Sequence, residues 1–143
     1  MAAEYHVNPE DELLSVKVAG QTDLVDVYEL AQTILSDPSF DHTWAQLVDV
    51  RGIELRVRDG ALKPFTDYIV GQYRSATDGA IAVVIGDELD QQQVAAIFKL
   101  VCAMSNTEMF DDYALAIKWL LSKSWNGNGV AAHTSLQPPD PRN

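Results

Sequence analysis

A chain of 143 residues is long enough for one well-packed domain and too short for two. Its 21 acidic and 10 basic residues give a formal net charge of -11, and so acidic a surface repels phosphate backbones and anionic membranes. Nucleic acid is therefore not expected as a partner, although an acidic surface also serves simple solubility.

The sequence carries no sign of export or membrane insertion. The N-terminus lacks a basic start followed by an apolar run, and no apolar stretch approaches the length of a membrane span. Cys102 is the only cysteine, so neither an intrachain disulfide nor a cysteine-based zinc cluster is expected. We expect a cytoplasmic protein.

The first half of the chain predicts a hairpin, a helix and a buried strand. Alternating apolar residues predict short strands around Tyr5–Val7 and Leu14–Val18, with Gly20 ending the second. Thr22 or Asp23 is suited to cap a helix whose apolar residues follow i, i+3, i+4 spacing. The next strand is predicted to begin at Ala45 and to end at Asp49 or Val50.

The second half predicts three more helices around two strands. Pro64 suits the first turn of a helix, and the apolar run 80–85 is typical of a parallel strand buried on both faces. Asp90 is predicted to cap the third helix. A short strand over 108–110 precedes the fourth helix, for which Asp111 is the predicted cap and Phe110 is predicted to staple onto Leu115.

These elements predict one α/β domain with the order ββαβαβαβα and a mixed, mainly parallel five-stranded sheet. The domain is expected to span residues 1–123. From 124 to 143 the chain is rich in Asn, Gly and Pro without hydrophobic periodicity, which indicates a flexible tail.

The most informative stretch is residues 44–60, WAQLVDVRGIELRVRDG. It predicts a buried strand followed by a loop that carries Arg51, Arg56 and Arg58 and then leads into a helix through Asp59 and Gly60. Loops that follow strands are common binding positions in α/β folds, and guanidinium groups recognise carboxylates and phosphates. The loop is thus a candidate site for an acidic peptide, a phosphorylated group or a small anion. The alternative is that these arginines neutralise nearby acids.

No reaction is predicted from the sequence. Asp49 lies in the apolar run LVDV, where pairing with Arg51 or with backbone N–H groups is favoured over a general-base role. The three histidines are scattered, and the chain has neither a GxSxG turn nor a phosphate-binding glycine motif. We therefore expect no enzyme activity, no metal and no cofactor.

Aromatic residues of the second helix leave a second kind of site open. Phe65, Tyr68 and Tyr73 are suited to line an apolar pocket, although an ordinary core explains the same pattern. Exposed apolar faces would also allow the protein to form a homodimer.

The element order around LVDVRGIELRVRDG resembles the STAS domain, specifically its SpoIIAA-like group, over about Tyr5 to Leu121. The resemblance implies a layered fold with a hairpin-like start, and a non-catalytic regulatory role. The implied partner is a protein such as a regulatory kinase or an anti-sigma-like factor, which meets the loop before the second helix.

One motif of that group is altered in this chain. Members that act as anti-sigma-factor antagonists carry Asp-Ser-Ser-Gly in the loop, and their partner kinase phosphorylates the first Ser. Residues 57–60 are Val-Arg-Asp-Gly, so only Gly60 is retained and Arg58 replaces the phosphorylated Ser. A phosphorylation switch is therefore not expected here. SpoIIAA-like folds are also similar to lipid-binding CRAL-TRIO domains, which keeps a small hydrophobic or anionic ligand as the alternative.

Overall fold

The computed structural model describes residues 1–86, 91–101, 103 and 106–124, and five strands form one mixed sheet. Their spatial order follows the chain, β1-β2-β3-β4-β5. The first two strands are antiparallel and all later neighbours are parallel. This confirms the prediction of an α/β domain with a mixed, mainly parallel five-stranded sheet. The strands are β1 (Ala2–Asn8), β2 (Leu13–Asp23), β3 (Ala45–Arg56), β4 (Ile81–Val84) and β5 (Thr107–Phe110).

Four helices connect and cover these strands. They are α1 (Leu24–Leu35), α2, α3 (Gln91–Val101) and α4 (Tyr113–Ser124). Helix α2 is α-helical over Leu62–Tyr68, π-helical over Ile69–Tyr73 and again α-helical over Arg74–Ala76. Among the described residues, no helix is both long enough and apolar enough to cross a bilayer.

The helices lie on both faces of the sheet. On one face, α1, α2 and α3 enclose the larger apolar core with Val16, Val50 and Val83. On the other face, α4 packs through Ala116 and Leu120 against a smaller core that includes Leu47 and Val84. Strand β4 is buried on both faces, which explains its uninterrupted apolar sequence.

Strand β3 differs from the prediction, because it continues past Asp49 to Arg56. It pairs in parallel with β2, which likewise passes Gly20 and ends at Asp23. The pairing moves from Lys17 opposite Asp49 to Ala19 opposite Gly52, so β3 contains one extra residue at this point. Such a β-bulge reverses the alternation of a strand, so the sequence pattern beyond Asp49 does not show that the strand continues.

Of two predicted helix starts, one is confirmed and one is wrong. Helix α2 begins at Leu62, which places Pro64 in its first turn as predicted. In α4 the capping carboxylate belongs to Asp112 rather than Asp111, since Asp112 Oδ1 accepts hydrogen bonds from the backbone N–H groups of residues 114 and 115 at 2.8 and 3.2 Å.

The predicted staple between Phe110 and Leu115 is also wrong. Leu115 is 52% exposed, and the ring of Phe110 lies 5.7 Å from the ring of Trp119 instead. Trp119 lies two helical turns into α4, which gives Phe110 a larger apolar partner than Leu115 offers.

Some predictions fall outside the described residues. These are the cap at Asp90, the environment of Cys102 and the tail from residue 125 onward. Ser124, with which the predicted tail begins, is the last residue of α4.

Gly79 precedes β4 at a place where the backbone passes very close to its neighbour. A Cβ atom at this position would lie 2.6 Å from the Thr43 carbonyl oxygen and closer still to that of Trp44. We predict that Gly79→Ala lowers the free energy of unfolding by about 2–3 kcal/mol, because backbone rather than a flexible side chain must move. Chemical denaturation measures the change.

Gly71 in the π-helical segment is the matched control. A Cβ there meets no heavy atom of the described chain within 4 Å. Because alanine is the better helix former, Gly71→Ala should leave stability unchanged or raise it by about 0.5–1 kcal/mol. Equal effects of the two substitutions would contradict the close approach at Gly79.

Candidate functional site

Asp49 and Arg51 form an ion pair on the face of the sheet that carries α4. Arg51 donates from Nε to Asp49 Oδ1 at 3.0 Å and from Nη2 to Oδ2 at 2.8 Å. The Arg51 backbone N–H donates to the same Oδ1 at 3.0 Å. The guanidinium group also lies 5.2 Å from the ring centre of Tyr113 at the start of α4. Both forms of pairing predicted for Asp49 are thus present.

The pair determines the charge state of Asp49, which is only 8% exposed. Burial alone would raise its pKa, but the hydrogen bonds from Arg51, with the positive charges of Arg51 and Lys17, outweigh burial and hold the pKa below 3.8. A carboxylate held ionised by its own arginine is a poor proton acceptor near neutral pH. Asp49 is therefore an ionised carboxylate with a structural role.

A second ion pair lies at the C-terminal end of β3. Arg58 Nη2 donates to Asp23 Oδ2 at 3.1 Å, and the two side chains are 69% and 21% exposed. Asp23 is also the register partner of Arg56, which is exposed and makes no recorded ion pair with the described residues. The following turn contains Asp59, also exposed, and Gly60 at φ +78°, a conformation that favours glycine. This turn leads directly into α2.

The three arginines consequently do not form one loop. Arg56 comes five positions after Arg51 along the same strand, which corresponds to about 17 Å at 3.3 Å per residue. Arg51 belongs to the face beside α4, whereas Arg56 and Arg58 lie at the end of the strand next to α2. The prediction of a single arginine-bearing loop is wrong, and Arg56, Arg58, Asp59 and Gly60 remain together.

An apolar groove adjoins this end of the strand. It lies between α1 and α2 and has a volume of about 450 Å³. Leu24, which follows Asp23, and Ala61, which follows Gly60, both line it. We call this groove the α1/α2 groove; its lining residues are Leu24, Val25, Tyr28, Ala61, Pro64, Phe65, Asp67, Tyr68 and Gln72.

The groove is lined by aromatic rings that hold one another in place. Tyr28 of α1 and Tyr68 of α2 meet edge to face, with ring centres 4.5 Å apart. Val25 is 57% exposed and Tyr28 is 36% exposed, so apolar surface faces outward here. Clusters of exposed apolar side chains with a polar rim are typical of binding surfaces.

A separate cavity lies under the helices, against the sheet. It measures about 100 Å³ and is lined almost wholly by aliphatic and aromatic side chains of α1, α2, α3 and the strands. Tyr73 contributes to its wall, and the Tyr73 hydroxyl donates to Gln46 Oε1 at 2.6 Å. Gln46 is fully buried, and its Nε2 has no hydrogen-bond partner among the described residues.

The three predicted pocket residues are therefore divided between two spaces. Tyr68 lines the α1/α2 groove, Tyr73 lines the inner cavity, and Phe65 contributes to both. Sequence reasoning missed Gln46, although a glutamine within the apolar run AQLV was a visible signal. It also missed Asp23 and Tyr113, because their roles depend on contacts between distant segments.

No described part of the chain brings three or more His, Cys, Asp or Glu side chains together as potential metal ligands. No family model matches the chain, and no curated protein sequence matches it either.

Asp49→Asn tests the structural role of the buried pair. We predict a loss of about 1–2 kcal/mol in the free energy of unfolding at pH 7, because Arg51 loses its charged acceptor while remaining half-exposed to water. Asp49 has a lowered pKa, so its stabilisation is present above pH 3.8 and disappears as the pH falls through the lowered pKa. Denaturation of both proteins from pH 7 to pH 2 should show the difference shrinking.

Asp67→Asn is the control, since the Lys63–Asp67 pair is exposed on both sides. It should change stability far less at every pH. A wild-type advantage over Asp49→Asn that persists undiminished at pH 2 would contradict the assignment.

Proposed function

We propose that this protein is a non-catalytic, STAS-like interaction module that captures a protein partner at the α1/α2 groove. The observation that carries the proposal is the position of this groove beside the turn with Arg56, Arg58, Asp59 and Gly60. The sequential strand order with a hairpin start supports the STAS-like assignment. It agrees with the successive βα units that the sequence resemblance implies.

The chemistry of the groove favours a partner segment that is apolar on one side and acidic at one end. Val25 and Tyr28 provide the exposed apolar surface of the groove. Its floor is formed by the buried side chains of Leu24, Phe65 and Tyr68. Arg56, at the end of β3, is an exposed cation that forms no ion pair with the described residues, whereas Arg58 already shares its charge with Asp23. An amphipathic helix with a terminal Asp or Glu would satisfy both requirements.

The same residues favour binding that does not depend on phosphorylation. Arg58 occupies the position of the phosphorylated Ser in the related motif and carries a permanent positive charge. A partner that recognises this surface therefore meets the same charge at all times. The pairing of Asp49 with Arg51 further supports a non-catalytic role, since it leaves that carboxylate no free proton-accepting function.

A photo-crosslinking amino acid at Gln72, which lines the groove, should capture the partner inside cells. The same group at Lys118, exposed on α4 across the sheet, is the positional control. Mass spectrometry identifies the captured protein, which is then purified for calorimetry. We predict that Arg56→Glu weakens its binding at least tenfold, because a carboxylate of the partner then meets a carboxylate.

Lys118→Glu makes the same change in net charge on the opposite face and should leave the Kd unchanged. The melting temperature of Arg56→Glu should stay within about 3 °C of the wild type, because the side chain is exposed. Crosslinking that is equally strong from Lys118, or an unchanged Kd for Arg56→Glu, would overturn the proposed surface.

A further inference from the structure

The inner cavity has features that the proposed partner binding does not use. Its wall combines α1, α2, α3 and the central strands, and the side chains that line it include Ala31, Val48, Ile53 and Phe98. No charged side chain is among the described residues of the wall. Its volume of about 100 Å³ is roughly two thirds of the engineered apolar cavity of ~150 Å³ that admits benzene.

Among the described residues of the wall, Gln46 has a side-chain hydrogen-bond donor without a partner. Its Oε1 accepts the Tyr73 hydroxyl, and its backbone N–H donates to the Ala80 carbonyl oxygen at 2.8 Å. The two Nε2 protons remain without an acceptor among the described residues, although the side chain is fully buried. An unsatisfied buried donor is costly, and an apolar residue of the same size would avoid that cost.

A single water molecule would be a poor hydrogen-bond acceptor for the Gln46 Nε2 group in this cavity. Buried waters typically make about three hydrogen bonds, whereas the cavity wall is otherwise almost wholly apolar apart from the Tyr73 hydroxyl. A molecule with one acceptor and an apolar body matches the wall better, because its acceptor satisfies Nε2 and its body fills the rest of the space. The described residues of the wall contribute no charged side chain, which argues against an anion, whose burial would not be compensated.

We infer that the cavity binds a small neutral molecule with an apolar body and one carbonyl-type acceptor that receives the Gln46 Nε2 hydrogen bond. The volume suits a ligand of roughly four to five heavy atoms, fewer than the six of benzene in the larger cavity. This inference does not depend on the partner surface, so Arg56→Glu should leave binding at the cavity unchanged.

Cyclobutanone and methylenecyclobutane are matched probes, because they differ only in a carbonyl oxygen against a methylene group. Titration of the ¹⁵N-labelled protein gives both affinities and follows the Gln46 side-chain amide by NMR. We expect both probes to bind, and the ketone to move the Gln46 amide protons downfield. The hydrocarbon should leave those protons nearly unmoved.

The decisive quantity is the ratio of ketone affinity to hydrocarbon affinity. The two free probes are hydrated differently, but this difference is the same for every variant and cancels when the ratios of two variants are compared. In Gln46→Met/Tyr73→Phe both partners of the buried hydrogen bond become apolar, so the protein should still fold. The ratio should fall about three- to tenfold there, as expected for the loss of one hydrogen bond. Tyr73→Phe alone keeps the donor and should retain most of the preference.

Ala31→Leu fills the cavity from α1 and should abolish binding of both probes. An unchanged affinity ratio in Gln46→Met/Tyr73→Phe would overturn the inference. So would the absence of any shift of Gln46 at millimolar probe, or a long-lived water at Nε2 that the ketone fails to displace.

Discussion

The parallel pairing of β2 with β3, interrupted by one β-bulge, is the constraint on which the rest of the structure depends. Before the bulge, Asp49 lies opposite Lys17 and faces the side of α4. After it the alternation is reversed, so Ile53 faces the larger core beneath α1 and α2. The added length carries Arg56 to the end of the sheet, beside Asp23. One extra residue thereby separates the Asp49–Arg51 ion pair from the proposed binding surface.

Two of the arginines, Arg51 and Arg58, form ion pairs with aspartates of the same chain. Asp49 and Asp23 each take the charge of a nearby guanidinium group, as expected when acidic residues outnumber basic ones by two to one. The two pairs differ in what they leave available. Arg51 is bound on two nitrogens and lies beside Tyr113, whereas the end of β3 retains Arg56 in addition to the pair. This difference explains why the proposed partner surface lies at α2 and not at Asp49.

Phe65 connects the two apolar spaces, because it lines both the α1/α2 groove and the inner cavity. It lies four residues before Ile69, where the π-helical segment begins. The π-helical segment ends at Tyr73, whose hydroxyl reaches Gln46 on the sheet. The two proposed sites are consequently neighbours, but one is open and charged at its end while the other is apolar with a single donor.

The sequence by itself determined the α/β class, the order of the elements and the residues on the buried faces of the helices. These follow from the spacing of apolar residues, which repeats every 2 residues in strands and every 3.6 in helices, and from the turn residues between them. It also indicated the pairing of Asp49 with Arg51, because the two are only two residues apart. The length of β3, the separation of Arg51 from Arg58 and the partnership of Gln46 with Tyr73 were decided by tertiary structure. A bulge depends on the register of a neighbouring strand, and a cavity depends on how helices from distant segments pack, so neither is encoded in local spacing.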